Sequence, residues 1–489
     1  KLTILLTLVT LVSTFGSSFQ YGYNVSVINS PFMQNFYNQT YMDRYGTYMD
    51  SNFQTLLWSL TVSMFPLGGF FGSLLVGPLV NNCGRKGTLL INNLFSIVPA
   101  ILMGTSEVAK TFEGIILSRI IIGINAGLSS NVVPMYLGEM SPKNLRGAIG
   151  VMPQLFITIG ILVAQILGLK SILGNREGWP VLLGLTGIPA VVELILLPFF
   201  PESPRYLLIQ KGNEEQARKA LQKLRGWDNV DDEIEEMGQE DQSEKQEGRL
   251  SVMNLCTFQA LRWQLISIIA MMMGQQLSGV NAVFYYADRI FESSGVEANA
   301  VQYVTVGIGA VNVVMTCLAV FIIELAGRRI LLLVGFGMCC ISCAVLTMAL
   351  NLQTSRDLNN GNCCSNLQTP PFPSGPIPFV LITEMFLQSS RPAAFMVGGS
   401  VHWLCNFTVG LQALGAYSFL VFCVICLATI IYIFFIVPET KNKTFMEINQ
   451  IMAKRNGVEV AMGKEELMDI KAVPGTWNEK KEVPMNSTL

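Results

Sequence analysis

The sequence has little charge and almost no histidine. Charged residues make up 13% of its 489 residues, whereas soluble domains carry about 25%. His402 is the single histidine. A soluble globular protein is therefore excluded, as is any site that needs several imidazole ligands. The formal net charge of −2 offers no basic surface for a nucleic acid.

Motifs of catalysis and cofactor binding are also missing. The chain has no nucleophile elbow, no phosphate-binding glycine loop and no cysteines at paired metal-ligand spacing, although it has 11 cysteines. Most of those cysteines lie inside apolar runs, where a thiol packs as a small apolar group. The sequence thus predicts neither an enzyme nor a bound cofactor or metal.

Apolar sequence is what the chain has in abundance. Hydrophobic residues reach 51% and the mean hydropathy is +0.45, and a helix needs about 20 apolar residues to cross a bilayer. Twelve runs approach this length, at roughly 2–28, 55–80, 88–106, 112–137, 147–171, 178–200, 263–291, 300–325, 329–352, 375–388, 392–414 and 416–437. We therefore predict an all-α membrane protein that contacts the lipid bilayer.

Polar segments divide these runs into two series of six. We expect an N-terminal six-helix half over 1–200, a cytosolic helical linker over 201–262, a C-terminal half over 263–437 and a cytosolic tail over 438–489. Two six-helix halves around a soluble linker are typical of transporters with a repeated architecture, which bind substrate between the halves near the middle of the bilayer.

Three short signatures recur in the same order in both series. They are Gly84-Arg85-Lys86-Gly87 and Gly327-Arg328-Arg329, Glu139 with Arg146 and Glu384 with Arg391, and Pro201-Glu202-Ser203 and Pro438-Glu439-Thr440. Charged pairs at helix ends fit a gate that ion pairs hold closed and that opens when they separate. Ordinary interfacial anchoring is the alternative for a single pair, and the repetition argues against it.

Uncharged polar side chains inside the runs indicate the kind of substrate. Gln154 and Gln165 lie eleven residues apart on one helix face, and Gln275, Gln276 and Asn281 cluster in the seventh run. A buried amide is costly unless it is hydrogen-bonded. Amides both donate and accept hydrogen bonds, as the hydroxyls of a neutral polyol do. The alternative is that these amides bond one helix to another.

Aromatic and acidic residues indicate the class of substrate and the mode of transport. Tyr21 lies in the first run and His402-Trp403 in the eleventh, and aromatic rings beside amides favour a carbohydrate over an ion. A proton-coupled carrier needs a carboxylate in the membrane interior, but the acidic residues lie near run ends, with Glu193 as the one possible exception. The pattern favours passive uniport without a coupling ion.

The predicted orientation in the membrane depends on where basic residues cluster more than on how many each side holds. Short loops hold seven basic residues on the side of the signatures and six on the other, so the count does not decide. Basic residues cluster beside helix ends on the signature side, and Asn38-Gln39-Thr40, in the polar loop after the first run, is a glycosylation acceptor. We therefore expect that loop outside and both termini in the cytosol.

In its signatures the chain resembles the sugar-porter branch of the major facilitator superfamily. The matching motifs are Gly84-Arg85-Lys86-Gly87, Pro201-Glu202-Ser203-Pro204-Arg205, Gln275-Gln276-Leu277-Ser278-Gly279 and Pro438-Glu439-Thr440-Lys441. The resemblance covers nearly the whole chain. The resemblance implies a major facilitator fold with nominally 12 transmembrane helices, alternating access, and residence in the plasma membrane, in its apical part.

Within this branch the chain resembles the facilitative hexose transporters, and three positions favour those that carry fructose. Glucose carriers have Gln-Leu-Ser where this chain has Met272-Met273-Gly274, Trp where it has Phe379, and Asn where it has His402. Asn24 stands where proton-coupled relatives carry Asp, which agrees with uniport. The alternatives are a broader hexose uniporter that takes glucose or galactose, and a transport-impaired variant that acts as a sugar-binding protein or partner.

The resemblance also implies roles for individual residues. It implies sugar contacts at Tyr21, Gln154, Gln275, Gln276, Asn281, His402 and Trp403. It implies gating ion pairs among Arg85, Glu139, Arg146, Glu324, Arg328, Glu384 and Arg391.

One region departs from the pattern of the family, and the internal repeat locates it. The interval from the Gly-Arg signature to the gate glutamate is 55 residues in the first half and 57 in the second, but the next interval, to the Pro-Glu signature, falls from 62 to 54. We therefore expect a shortened eleventh span. Residues 355–374 are polar where the tenth span is due to begin. Either the tenth element re-enters the membrane while buried in protein, or the chain is a variant with impaired transport.

Overall fold

The computed structural model describes residues 3–28, 31–247, 255, 261–278, 298–357, 377–411, 418–441 and 443–456, which form helices and no strand. A first set of helices is α1 (Ile4–Ser26), α3 (Ser51–Asn92), α4 (Leu94–Gly104), α5 (Phe112–Met140), α6 (Arg146–Leu167) and α7 (Trp179–Phe199), with a short α2 (Pro31–Tyr45) after α1. A linker follows with α8 (Glu214–Arg225) and α9 (Asp231–Glu247). A second set is α10 (Arg262–Gln276), α11 (Ala298–Ala326), α12 (Arg328–Asp357), α13 (Ile377–Met385), α14 (Arg391–Leu411) and α15 (Ser418–Ile436), and α16 (Phe445–Asn456) comes after it.

Length and apolar composition account for the long helices. Seven helical stretches in the described ranges are long and apolar enough to cross a membrane. They are Ile4–Ser26, Ser51–Gly104, Phe112–Met140, Arg146–Leu167, Trp179–Phe199, Ala300–Ile323 and Arg328–Val345. The stretch Ser51–Gly104 contains the second and third predicted runs, and Gly84 bends it with a φ of +79°. In the hydrocarbon core of a bilayer, backbone N–H and C=O groups can form hydrogen bonds only with each other. These apolar runs therefore form helices.

Helix α2 was not expected from the sequence, which predicts a polar loop there. Met33 and Tyr37 lie on one face of α2, four residues apart, and are buried in a cluster with Phe112 and Trp179. The low overall hydrophobicity of the segment hid this narrow apolar stripe, which becomes favourable only when the ends of α5 and α7 cover it. The prospective glycosylation site Asn38 therefore lies on a helix, and its Oδ1 accepts a hydrogen bond from the Met49 amide at 3.0 Å.

Small residues bring α3 and α5 into close contact. A Cβ placed on Gly127 would lie 2.2 Å from the carbonyl oxygen of Gly69, and one on Gly123 would lie 2.2 Å from that of Phe65. Apolar side chains gain little from leaving lipid for a protein interior of similar polarity, so close backbone packing is what holds such helices together. This contact is the centre of the first set.

The linker packs against one end of the first set of helices. We call this end the linker face. Thr3 Oγ1 donates to the Leu224 carbonyl oxygen on α8 (2.6 Å), and Arg225 Nη1 donates to the Met140 carbonyl oxygen at the end of α5 (2.9 Å). Arg225 also binds Glu233 on α9 at 2.8 Å. These contacts fix the helical linker against the ends of the membrane helices.

A second group of charges ties α9 to the segment that follows α7. Arg205 binds Glu236 (3.3 Å) and Glu240, and Lys143 reaches Glu236 at 2.9 Å. Burial alone would raise the pKa of Glu236, but the positive charges of Arg205 and Lys143 hold that pKa below its ordinary value. Glu236 is thus charged where it contacts both cations.

The second set contains the region where the sequence departs from the family. Helix α13 has nine residues, about half of a span, and every one of them is buried. Residues 355–357 continue α12, and the rest of the polar segment, 358–374, lies outside the described residues. Helix α14 has 21 residues, one fewer than α6. The predicted shortening of the eleventh span lies between Arg391 and Tyr417. The last part of this interval, 412–417, is also outside the described residues, so the shortening stays a prediction.

Candidate functional site

A buried network of charges closes the linker face of the first set. The Arg85 guanidinium binds Glu139 at 2.9 Å, and Ser203 donates its hydroxyl to the same carboxylate. The Glu202 carboxylate accepts from the backbone amides of Arg85 (3.2 Å) and Lys86 (3.1 Å). Glu202 thereby satisfies amide groups that the bend at Gly84 leaves without helical partners.

The second set repeats this network residue for residue. Arg328 binds Glu384 at 3.1 Å, and Thr440 donates its hydroxyl to that carboxylate. Glu439 accepts from the backbone amides of Arg328 (2.9 Å) and Arg329 (3.0 Å). The three signatures that recur in the sequence therefore meet in space in both sets, as a gate requires.

Among the described residues, one ion pair joins the two sets. Arg391 Nη1 on α14 lies 3.2 Å from Glu139 Oε1 on α5, and both side chains are fully buried. Glu139 therefore holds two arginines, Arg85 from its own set and Arg391 from the other. This pair connects the two sets at the linker face.

The remaining predicted gate residues behave differently. Arg146 forms no ion pair with a carboxylate of the described residues, and its guanidinium lies 3.9 Å from the ring centroid of Phe445 on α16. Arg205 and Arg391 lie over the same ring, each at 4.6 Å. The side chain of Glu324 lies outside the described residues. Phe445 was not predicted; an isolated phenylalanine in a polar tail carries no signal of such a role.

Aromatic residues from both sets meet between α1 and α14. Trp403 is fully buried, with its ring 5.2 Å from Tyr21 and 5.6 Å from Phe65. Its indole Nε1 donates to Ser130 Oγ on α5 at 3.3 Å. Sequence reasoning missed Phe65 and Ser130, because each belongs to a run with many residues of its type.

The lone histidine joins this aromatic group to the amides. Gln276 Nε2 donates to His402 Nδ1 at 2.8 Å, and the imidazole lies edge-on to Phe379 (5.3 Å) and Trp403 (5.3 Å). We call Tyr21, Gln276, Phe379, His402 and Trp403 the central cluster. It combines ring faces with amide and imidazole hydrogen-bonding groups, which is the mixture that orients a small polar ligand.

Two of the three positions that favour fructose are in direct contact, and the third packs beside them. Phe379 and His402 are in ring contact. Met272 is buried in the same apolar core as Phe379, and its Cε lies 3.9 Å from a Cβ placed on Gly398, one helical turn before His402 on α14. A Cβ on Gly274 would meet Thr429 of α15 at 2.5 Å, so the methionine segment packs against both α14 and α15.

The other predicted sugar contacts are spread around the cluster. Gln154 is half-buried on α6 and forms no hydrogen bond with another described residue. Gln275 is half-buried at the end of α10, next to Gln276. Asn281 lies outside the described residues. Gln165, the second glutamine of the α6 face, packs its Oε1 on Gly309 of α11, where this oxygen accepts no hydrogen bond from a described residue.

Next to the cluster, hydrogen bonds tie α1 to α5 and α7. Asn24 Nδ2 donates to Thr186 Oγ1 (2.5 Å), Gln20 Nε2 donates to the Thr186 carbonyl oxygen (2.9 Å), and the Arg119 guanidinium donates to the Asn24 carbonyl oxygen (2.8 Å). All four residues are buried. The position that would carry an Asp in a proton-coupled relative is held here by a neutral amide, and the nearby cation Arg119 bonds to its backbone carbonyl.

Two related helical sets around one polar and aromatic centre, with buried ion pairs at one end, are typical of a carrier. The chain belongs to the sugar transporter family, since the family profile described as "Sugar (and other) transporter" matches residues 9–452. It is 64% identical over 486 residues to facilitated glucose transporter member 5 of Homo sapiens, covering 97% of both chains. It is 55% identical to member 7 of Homo sapiens, covering 98% of this chain and 95% of that one.

Solved structures establish the fold. The proton:xylose symporter XylE bound to 6-bromo-6-deoxy-D-glucose superposes with a TM-score of 0.79 at 24% identity, covering 92% of this chain and 99% of that one. The predicted major facilitator fold and the predicted sugar transporter family are confirmed. The protein is a multi-pass membrane transporter and not an enzyme.

Proposed function

We propose that this chain carries fructose by facilitated diffusion, driven only by the sugar gradient. The observation that carries the proposal is the central cluster, where the hydrogen bond from Gln276 to His402 and the contact of His402 with Phe379 unite a predicted sugar contact with two fructose-favouring positions. The human relatives are named as facilitated glucose transporters, which supports the same mode of transport for this chain. A broader hexose uniporter is the second candidate.

The sugar-contact roles follow from the chemistry of the cluster. The rings of Tyr21 and Trp403 offer an apolar wall, and Gln276 and His402 offer groups that donate and accept at its edge. Gln154, Gln275 and Asn281 complete the proposed set of sugar contacts from α6 and the end of α10. Neutral hydrogen-bonding groups suit a sugar, because its hydroxyls both donate and accept.

Alternating access fits the closed linker face. We infer that Arg85, Glu139, Arg146, Glu324, Arg328, Glu384 and Arg391 form the gate. The Arg391–Glu139 pair crosses between the sets at 3.2 Å, so rocking of the sets separates it and opens a path from the central cluster to that face. The described arrangement is the closed end of this cycle.

The same proposal fixes topology and location. The linker face is the cytosolic one and both chain termini lie there, with domain limits at 1–200, 201–262, 263–437 and 438–489. Asn38, on α2 at the opposite end from the linker, then faces outward as a glycosylation site, and the carrier resides in the apical plasma membrane. Basic residues at the linker face support this orientation.

The absence of a coupling ion is also proposed. Asn24 is an amide that does not titrate, its Nδ2 donates to Thr186, and its backbone carbonyl accepts from the Arg119 guanidinium, so this position offers no group that could bind and release a proton. Fructose uptake into vesicles is then expected without uptake of protons, and a pH-sensitive dye trapped inside reports any departure.

The decisive experiment is labelled-sugar uptake by the purified chain in proteoliposomes. We expect fructose uptake, little glucose uptake, and a shift toward glucose in the F379W/H402N double variant, with fructose uptake reduced at least about tenfold, the equivalent of about 1.4 kcal/mol. The matched control is F435W, because Phe435 is 67% exposed on α15 and lies outside the cluster.

The outcomes separate the candidates. Equal uptake of fructose and glucose by the unmodified chain would identify the broader hexose carrier. Binding of fructose without any uptake would identify the transport-impaired variant and contradict the proposal. A double variant that keeps full fructose preference would remove the central cluster as the origin of the selectivity.

A further inference from the structure

Glu193 is a carboxyl group in the middle of a membrane helix. It lies on α7, where it is the only charged residue between Trp179 and Phe199, and its side chain is fully buried. No basic side chain of the described residues forms an ion pair with it. An ionised carboxylate without a cation is costly in an apolar interior, and such residues inside membrane spans mark functional sites.

The carboxyl group contacts the most irregular part of α1. Residues Thr14–Phe19 form a π-helical turn, and Ser17 Oγ in that turn donates to Glu193 Oε2 at 2.8 Å. A Cβ placed on Gly16 would lie 2.2 Å from Glu193 Cβ, so the side chain packs directly on the α1 backbone. Single π-helical turns inside α-helices occur frequently at functional sites.

The groups that face Glu193 are neutral. Neither residues 3–28 of α1 nor α4 contains an Asp, Glu, Lys, Arg or His. The Asn93 amide faces the carboxyl group, yet Glu193 Oε1 has no hydrogen-bond partner among the described residues. The titratable phenols nearby, Tyr23 and Tyr136, donate to the carbonyl oxygens of Leu182 and Pro201. No residue in the described ranges compensates a negative charge on Glu193.

The same turn of α1 leads directly to the central cluster. Gln20, the first residue after the π-helical turn, bonds to the Thr186 carbonyl oxygen on α7, and Tyr21 follows it against Trp403. A change in the contact between α1 and α7 at Glu193 is therefore transmitted over one helical turn to the proposed sugar contact Tyr21.

We propose that Glu193 is a proton-binding site that regulates transport. A proton from water binds one carboxylate oxygen to give the neutral acid, and this form packs against the π-helical turn in the described arrangement. Loss of the proton leaves an unpaired negative charge against Gly16, which loosens α1 from α7 and displaces Tyr21. We expect sugar uptake to fall as the pH rises. This consequence for uptake rests on the proposed function, whereas the protonation itself does not.

Infrared difference spectroscopy of the purified protein tests protonation directly. We expect one carbonyl-stretch band of a neutral, buried carboxylic acid at neutral pH that disappears in E193Q and shifts in S17A, which removes the hydrogen bond to it. The control is E107Q, because Glu107 is exposed in the loop after α4. The absence of a band that E193Q removes would overturn the proposal, whether or not the protein transports fructose.

Uptake in proteoliposomes, at equal pH on both sides, tests regulation. From about pH 5 to about pH 8, a range around neutrality, we expect uptake by the unmodified chain and by E107Q to fall several-fold. E193Q is expected to hold the low-pH rate throughout. An unchanged pH profile in E193Q would overturn the regulatory role. Fructose-driven acidification of the vesicle interior that E193Q abolishes would also overturn it, because Glu193 would then couple a proton to transport.

Discussion

The two helical sets build the same charged network, and they differ in how each is connected to the rest of the molecule. In the first set Glu139 binds Arg85, and in the second Glu384 binds Arg328, at distances that agree within 0.2 Å (2.9 and 3.1 Å). Among the described residues, Glu139 alone also binds an arginine of the other set, Arg391. Of the two networks that the structure describes, one thus reaches across the interface.

The asymmetry coincides with the contacts of Phe445, at the start of α16. By the internal repeat, the partner expected for Glu384 is Arg146, just as Arg391 is the partner of Glu139. Arg146 instead lies over the ring of Phe445, which Arg205 and Arg391 also contact. The repeated sequence supplies two equivalent pairs, and at one of them the arginine contacts an aromatic ring.

The largest difference between the two sets is expected when the glutamate of each network is neutralised. E139Q removes the ion pairs with two buried arginines, Arg85 and Arg391, whereas E384Q removes the pair with Arg328. Removing one partner of a buried ion pair costs about 3–5 kcal/mol, so we expect E139Q to lower the Tm and the uptake rate more than E384Q. Thermal unfolding and uptake of both variants check this. Equal losses would mean that the pair across the interface contributes nothing.

The second prediction concerns Phe445, whose ring Arg146 contacts in place of the expected ion pair with Glu384. F445L keeps most of the apolar volume but removes the ring over which Arg146, Arg205 and Arg391 lie, and a desolvated cation–π contact contributes about 2 kcal/mol. We expect F445L to lower the free energy of unfolding by about that amount and F445A to lower it further. Chemical denaturation measures both. Normal stability of F445L would show that the ring serves only as apolar volume.

The smallest effect is expected at the linker, which follows only the first set. Arg205 and Lys143 hold the pKa of Glu236 below its ordinary value, despite its burial. A lowered folded-state pKa adds stability above the unfolded-state pKa, near 4.3, and this stability is lost as the pH falls through the folded-state pKa. E236Q is therefore expected to unfold at a lower temperature than the unmodified chain at neutral pH, and the difference is expected to vanish once the pH falls below the lowered folded-state pKa.

A matched control is available one residue away. Glu235 is exposed on α9, so E235Q changes the same charge without touching Arg205 or Lys143. A Tm difference between E235Q and the unmodified chain as large as that of E236Q would assign the effect to net charge and contradict a local one.

Much of the architecture could be predicted from the sequence, for identifiable reasons. Bilayer thickness sets the helix length, so the apolar runs gave most of the helices. The repeated signatures gave the ion pairs of Arg85 and Arg328, because such charges must find partners when buried. Helix α2 was missed, because its apolar stripe stabilises a helix only when α5 and α7 cover it. Sequence reasoning grouped Met272-Met273-Gly274 with Phe379 and His402, and only the structure shows that Phe379 and His402 are in ring contact.

By itself, the sequence determined that this protein is a helical membrane transporter with two related sets of helices, because hydropathy and local motifs act over short distances along the chain. Only the tertiary structure decided which arginine reaches which glutamate, that Phe445 takes the place of one ion pair, and that Glu193 lies against α1 with no cation beside it among the described residues. These contacts join residues from about 50 to more than 250 positions apart, and packing of the whole molecule sets them.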